Sequence, residues 1–139
     1  MAPRKAEYER AALLREELIH FLRVSKRATS KHGLTLERYQ LLLMVKTGRE
    51  GSERASLTEL RERLELAQSS VVELVHRAER LGLVTRELSA RNRRFVYVAL
   101  TAEGERRLAA ALSELTRARA RLRASLEGWA ARHDTATLG

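Results

Sequence analysis

Between Gln68 and Leu100 the apolar residues change period, and that change constrains the fold more than any other feature of the chain. Val71, Leu74, Val75, Ala78 and Leu81 recur at helical spacing, on one face of an α-helix. Gly82 stops the pattern. Two runs of strand composition follow, Leu83 to Leu88 and Phe95 to Leu100. The second alternates Val96, Val98 and Leu100 with Phe95, Tyr97 and Ala99, the period of a pleated strand. Between the runs lies Ser89-Ala90-Arg91-Asn92-Arg93-Arg94, a polar and basic hairpin tip.

Upstream, Ser56 and Glu59 stand three apart before an apolar pattern, the spacing of a capping box. They predict a short helix with Leu57, Leu60 and Leu64 facing inward. After Glu65-Leu66-Ala67 a second helix is expected from about Gln68 to Leu81. Two helices joined by a tight turn and followed by a hairpin form a winged helix-turn-helix, here from Ser56 to Thr101. In such a module the second helix lies in the DNA major groove, its inner face packed and its outer face free to read bases.

On that outer face stand Ser69, Glu73, His76 and Arg80, flanked by Gln68, Ser70, Val72 and Arg77. Ser69 and Ser70 fall in the first turn, where free amides and hydroxyls suit phosphate or base contact, although serine is also common at helix starts. Val72 points away from the expected core, and in a major groove it can meet a thymine methyl. Glu73 has two readings: it accepts a hydrogen bond from cytosine N4, or it holds Arg77 or Arg80 at helical spacing. His76 reads as a phosphate or water contact, because His20, His32 and His133 form no metal-ligand spacing with it. The tip arginines Arg91, Arg93 and Arg94, with Asn92, predict a wing that reaches the minor groove, against the alternative of a solvated turn.

The two ends of the chain carry a different signal. From about Ala6 to Thr29 Leu14, Leu18, Phe21, Leu22 and Ser25 form one stripe of an amphipathic helix, which His32-Gly33 ends. A helix from Leu36 to Thr47 is apolar almost all round through Leu41–Val45, as befits the centre of a fold. Thr101 caps an expected long helix from about Ala102 to Arg132. Along it Leu108, Leu115, Leu122 and Trp129 recur every seven residues, with Leu112 and Leu126 on companion positions. Packing on the chain's own first helix accounts for part of this stripe. The remainder predicts a symmetric dimer through Leu14, Leu18, Phe21 and the heptad residues.

Composition narrows the function classes. Lys and Arg outnumber Asp and Glu by 27 to 18, a net charge of +9, which favours a polyanionic partner. With 139 residues the chain is one domain in size. Cysteine is absent, which removes disulfides and thiolate metal sites. The first residues show no secretory apolar segment, and no run approaches the ~18 apolar residues of a membrane helix. A cytoplasmic location is expected. There is no Gly-rich phosphate loop, no paired carboxylates in an apolar setting and no nucleophile–histidine pair, so an enzyme is not expected. Neither cofactor nor metal is expected.

Several motifs together resemble the MarR family of bacterial transcriptional regulators. They are Leu57-Thr58-Glu59-Leu60 with Leu64-Glu65-Leu66, then Gln68-Ser69-Ser70-Val71-Val72, then Gly82-Leu83-Val84-Thr85-Arg86, and finally Arg93 to Gly104 with its closing Leu-Thr-x-x-Gly. The resemblance implies a mainly α fold with a small β-hairpin wing and long N- and C-terminal dimerisation helices. Residues 1–34 and 102–139 would be the dimerisation helices. Residues 36–101 would form the winged helix-turn-helix, with its recognition helix about 68–81 and wing about 83–100. It also implies a homodimer on a pseudo-palindromic operator in double-stranded DNA, acting as a repressor, and a small lipophilic or aromatic effector bound between the two regions. His20 and Tyr39 are the polar-tipped rings assigned to such a cleft.

Three departures from the family pattern stand out. Ser89 and Asn92 replace the acids that flank the wing arginine, Ala67 stands where serine usually caps the recognition helix, and Glu73 replaces a common polar reader. Loss of that cap costs ~1 kcal/mol. Two other functions remain open on the sequence: a non-specific architectural DNA binder, and a winged helix serving as a protein-interaction module.

Overall fold

Thr35 opens the central helix of the fold, its Oγ1 accepting the Arg38 amide at 3.1 Å. The helix it caps, α2 (Leu36–Lys46), carries Leu41, Leu42 and Val45 fully buried, as a helix apolar on most sides requires. The computed structural model describes residues 1–91 and 95–134, the last two by backbone alone. The other elements, in chain order, are α1 (Lys5–Lys31), β1 (Arg54–Ser56), α3 (Leu57–Leu64), α4 (Gln68–Arg80), β2 (Val84–Leu88), β3 (Val96–Leu100), α5 (Ala102–Glu114) and α6 (Thr116–Asp134). The expected class, mainly helical with a β wing, is the observed one.

The chain divides into two compact units, one of residues 29–112 and one of residues 1–28 with 113–139. In the first, a three-stranded antiparallel sheet of order β1-β3-β2 closes over the helices. Strand β1 is an addition to the sequence reading, which expected two strands. It changes the capping box as well. Ser56 Oγ accepts the Glu59 amide at 3.1 Å as expected. Ser56 itself is the last residue of β1 and pairs with Tyr97, so Glu59 does not reach back to it. The Glu59 carboxylate instead accepts the Arg49 amide at 3.0 and 3.2 Å and the Arg63 guanidinium at 3.2 Å. Arg63 also donates to the Met44 and Thr47 carbonyls, which are open acceptors at the end of α2. A nearly buried ion pair thus locks α3 against α2.

Charged side chains tie the start of α5 to the same unit. Lys46 Nζ lies 3.0 Å from Glu105 and 3.1 Å from Glu53, and those two carboxylates, Glu105 first, raise its pKa above the ordinary lysine value. Arg107 donates to the Gly33 carbonyl at 3.2 Å and pairs with Glu103 at 2.7 Å.

In the second unit α1 meets α6 through Arg121. Its Nε and Nη2 each lie 3.3 Å from Glu17, and its Nη1 lies 3.0 Å from His20 Nε2. The Arg121 hydrogen bond is the main cause holding the Glu17 carboxyl below its ordinary value. Leu13, Leu14, Leu126 and Trp129 line a hollow beside this contact.

Two expectations for the chain ends are corrected. The single final helix is broken at Leu115 into α5 and α6. Next to the break Thr116 Oγ1 donates back to the Ser113 carbonyl at 3.1 Å, a side-chain bond of the kind that bends helices. The heptad stripe is therefore not one continuous seam, and Leu108 and Leu115 are already buried within the chain. On α1, Leu22 is exposed rather than part of the buried stripe, while Leu14, Leu18 and Phe21 are half-buried.

Candidate nucleic-acid interface

Glu65 ends α3 in the left-handed region, at φ 52°, and reverses the chain. The Leu66 amide then donates to the Arg61 carbonyl at 3.2 Å, which closes the turn between the two helices. Ala67 sits at the start of α4 in extended geometry and makes no side-chain cap, as its methyl dictates. The first amides of the recognition helix are therefore left open at its positive end.

Along α4 the helical period sorts the side chains. Val71, Val75 and Ala78 are at most 1% exposed, and Leu74 is half-buried. Gln68, Ser69, Ser70, Glu73, His76, Arg77 and Arg80 are exposed. Two placements differ from the sequence reading. Val72 is half-buried rather than outward, and Leu81 is 49% exposed because it lies beyond the last helical residue, where the chain turns into Gly82. Glu73 has a partner in the structure: its carboxylate accepts from Arg77 Nη2 at 2.7 Å, one helical turn on.

The end of α4 is held by the Leu-Thr-x-x-Gly segment. Gly82 takes φ 74°, a conformation costly for other residues, and the Leu83 amide donates to the Ala78 carbonyl at 2.9 Å. Thr101 Oγ1 donates to the Gly82 carbonyl at 2.6 Å and accepts the Gly104 amide at 3.0 Å. Gly104 packs so closely on the Leu83 carbonyl that any Cβ would collide with it. The wing's exit and the recognition helix's end are thus one joint.

The wing is braced on both faces. On the α4 side Arg86 donates to Glu79 at 3.0 Å, and its Nη1 lies 3.4 Å from His76 Nε2. On the other side the Arg54 guanidinium lies over the Tyr97 ring, 4.3 Å from its centroid, and reaches Glu87 at 3.7 Å. The Ser89 amide donates to the Phe95 carbonyl at 2.9 Å and extends the ladder beyond Leu88 and Val96. Ser89 Oγ accepts the Arg91 amide at 3.3 Å, and Arg91 is exposed. Asn92, Arg93 and Arg94 lie outside the described residues.

Arg54 and Glu79 are not singled out by the sequence, and Arg86 enters there only as the end of a motif. Glu79 and Arg86 lie seven apart across Gly82, and a pair split by a turn leaves no periodic trace. Of the two rings assigned to an effector cleft, His20 is engaged by Arg121 in the helix pair, and Tyr39 is buried on α2. Among the heptad residues, Leu122 and Trp129 are half-buried while Leu112 and Leu126 are exposed.

Residues 32–94 match the family model described as MarR family, which takes in α2, the two helices of the reading head and the start of the wing. Over that region the chain is similar to the MarR family. Solved structures that match it are described as MarR family transcriptional regulators. No curated protein matches the chain. Among solved structures it is similar to AbsC, a MarR family transcriptional regulator from Streptomyces coelicolor. The TM-score is 0.79 at 17% identity, over 99% of this chain and 95% of that one. CouR from Rhodococcus jostii RHA1, bound to p-coumaroyl-CoA, gives 0.69 at 28% identity over 78% and 74%. A second Streptomyces coelicolor MarR regulator, in complex with DNA, gives 0.72 at 21% over 85% and 76%. No helix of the described residues is long and apolar enough to cross a membrane.

Proposed function

We propose that the chain is a homodimeric, sequence-specific DNA-binding repressor of the bacterial cytoplasm, released from its operator by a small lipophilic or aromatic ligand. The observation that carries this reading is the sorted recognition helix. Its buried Val71, Val75 and Ala78 fix the helix in the module, and its polar face from Gln68 to Arg80 is left to solvent. In this reading Ser69 and Ser70 meet phosphate or base edges at the open helix start, and His76, Arg77 and Arg80 meet the groove farther along. Arg91, with Asn92, Arg93 and Arg94, enters the neighbouring minor groove. Two such heads on a pseudo-palindrome sit about 34 Å apart, in successive major grooves.

Dimerisation is assigned to the helices of residues 1–34 and 102–139. Leu112 and Leu126 offer apolar surface there, together with Ile19 and Leu22 on α1. The relative bound to DNA supports the operator reading, and CouR with p-coumaroyl-CoA supports the ligand. A ligand releases DNA only by preferring a protein geometry that misfits the operator.

Selection on random duplexes, followed by affinity measurement at moderate salt, tests the proposal. A selected duplex is expected to bind at least about a thousandfold more tightly than its scrambled counterpart. Equal affinities would establish a non-specific binder instead. Sedimentation of the free protein tests the dimer, with a monomer as the opposing result.

A further inference from the structure

We propose that the wing is a two-faced apolar wedge, with Leu88 on one face and Phe95 on the other resting against the deoxyribose edges at the mouth of the DNA minor groove. Leu88 is 63% exposed at the end of β2, and Phe95 is 50% exposed just before β3. Large apolar side chains left in water at the outer end of a ribbon lower no free energy in the free protein.

Register separates the two faces. Leu88 pairs with Val96, and the Ser89 amide bonds the Phe95 carbonyl one step farther out. Strand alternation places Leu88 with Arg86 and Val84 on the face toward α4, and Phe95 with Tyr97 and Ala99 on the opposite face. Each face ends toward the tip in an apolar residue. The face toward α4 runs from buried Val84 through Arg86, held by Glu79, to Leu88, and the other face from Tyr97, covered by Arg54, to Phe95. Beyond both stands the exposed Arg91.

That arrangement fits one partner chemistry. A minor groove offers phosphates to a cationic tip and, just inside them, apolar sugar edges on two sides. A flat protein surface would engage only one face of the ribbon. The apolar pair is also continuous with the DNA-contacting tip.

The inference rests on the proposed DNA role of the wing, and the two fail differently. The probe is a fluorescent duplex selected by the unaltered protein, titrated at several salt concentrations. Leu88→Thr with Phe95→Thr keeps strand-forming residues. It is expected to weaken binding about tenfold or more at every salt concentration, from lost apolar contact, with the salt slope unchanged. Arg91→Ala is expected to flatten the slope by about one per wing. Leu88→Met with Phe95→Leu keeps the apolar surface and is expected to bind like the unaltered protein.

Unchanged affinity in the threonine variant, with the Arg91→Ala effect intact, would overturn the wedge and leave the tip in its groove. No effect from any of the variants would remove the wing from the DNA altogether. Equal losses in the threonine and the apolar variants would show a packing role in place of contact. A loss traced by sedimentation to dissociation of the protein would assign the two residues to a second copy of the chain.

Discussion

Thr101 Oγ1 donates to the Gly82 carbonyl at 2.6 Å, so the residue that ends the wing also fastens the end of the recognition helix. The same hydroxyl accepts the Gly104 amide, which starts α5. Thr101→Val keeps the shape and removes both bonds. It is expected to cost about 1–2 kcal/mol, read as a lower urea midpoint at unchanged slope. Gly104→Ala is expected to cost more, because its methyl must displace the Leu83 carbonyl. An unaltered midpoint in Gly104→Ala would mean that this close approach yields freely.

The uncapped start of the recognition helix offers a test in the stabilising direction. Ala67 already has the extended geometry of a cap residue, with φ −66° and ψ 153°, and lacks only an acceptor. Ala67→Ser is expected to raise stability by about 1 kcal/mol in a denaturant titration. A decrease would show that the serine cannot reach the open amides in the folded protein.

Acid is expected to weaken the helix pair through Glu17. Its carboxyl is held below the ordinary value of 4.5, first by the hydrogen bond from Arg121. A group whose folded pKa is depressed stabilises the fold above its unfolded pKa and loses that contribution as pH falls through the folded value. The Glu17 contribution is therefore complete at neutral pH and fades below pH 4.5. Glu17→Gln is expected to flatten the acid limb of a stability–pH curve and to leave the neutral-to-alkaline limb in place. Parallel curves for the two proteins would refute the linkage.

The reading head was legible because burial imposes a period. Val71, Val75 and Ala78 had to share a face for the helix to pack, and Gly82 had to stop it. What escaped was set by neighbours rather than by period. Arg54-Ala55-Ser56 has no strand composition, and it becomes β1 because Tyr97, Val98 and Ala99 offer it an edge. The break at Leu115 lies inside an unbroken heptad repeat with no glycine or proline beside it, and its only local sign is a threonine that can bond backwards. Leu81 keeps the helical phase of its face but lies past the last turn, where phase no longer implies burial. The wing braces join residues of opposite charge across a turn and a sheet, and no one-dimensional pattern reports such pairs.

The Glu73–Arg77 pair decides how the reading head should respond to loss of its acid. In the free protein the carboxylate holds Arg77 at 2.7 Å, and both side chains are more than half exposed. A pair so wet contributes little to stability, so Glu73→Ala is expected to leave the unfolding midpoint within about 0.5 kcal/mol. Its effect on DNA should be larger. Without the acid, Arg77 is free to neutralise a phosphate, and the salt slope is expected to steepen by about one per recognition helix while the selected base motif stays the same. In an Arg77→Ala background, Glu73→Ala is expected to add no such steepening, because the two residues act as one unit. A changed motif with an unaltered slope would instead make Glu73 a direct reader of a base, with cytosine N4 the first donor to examine.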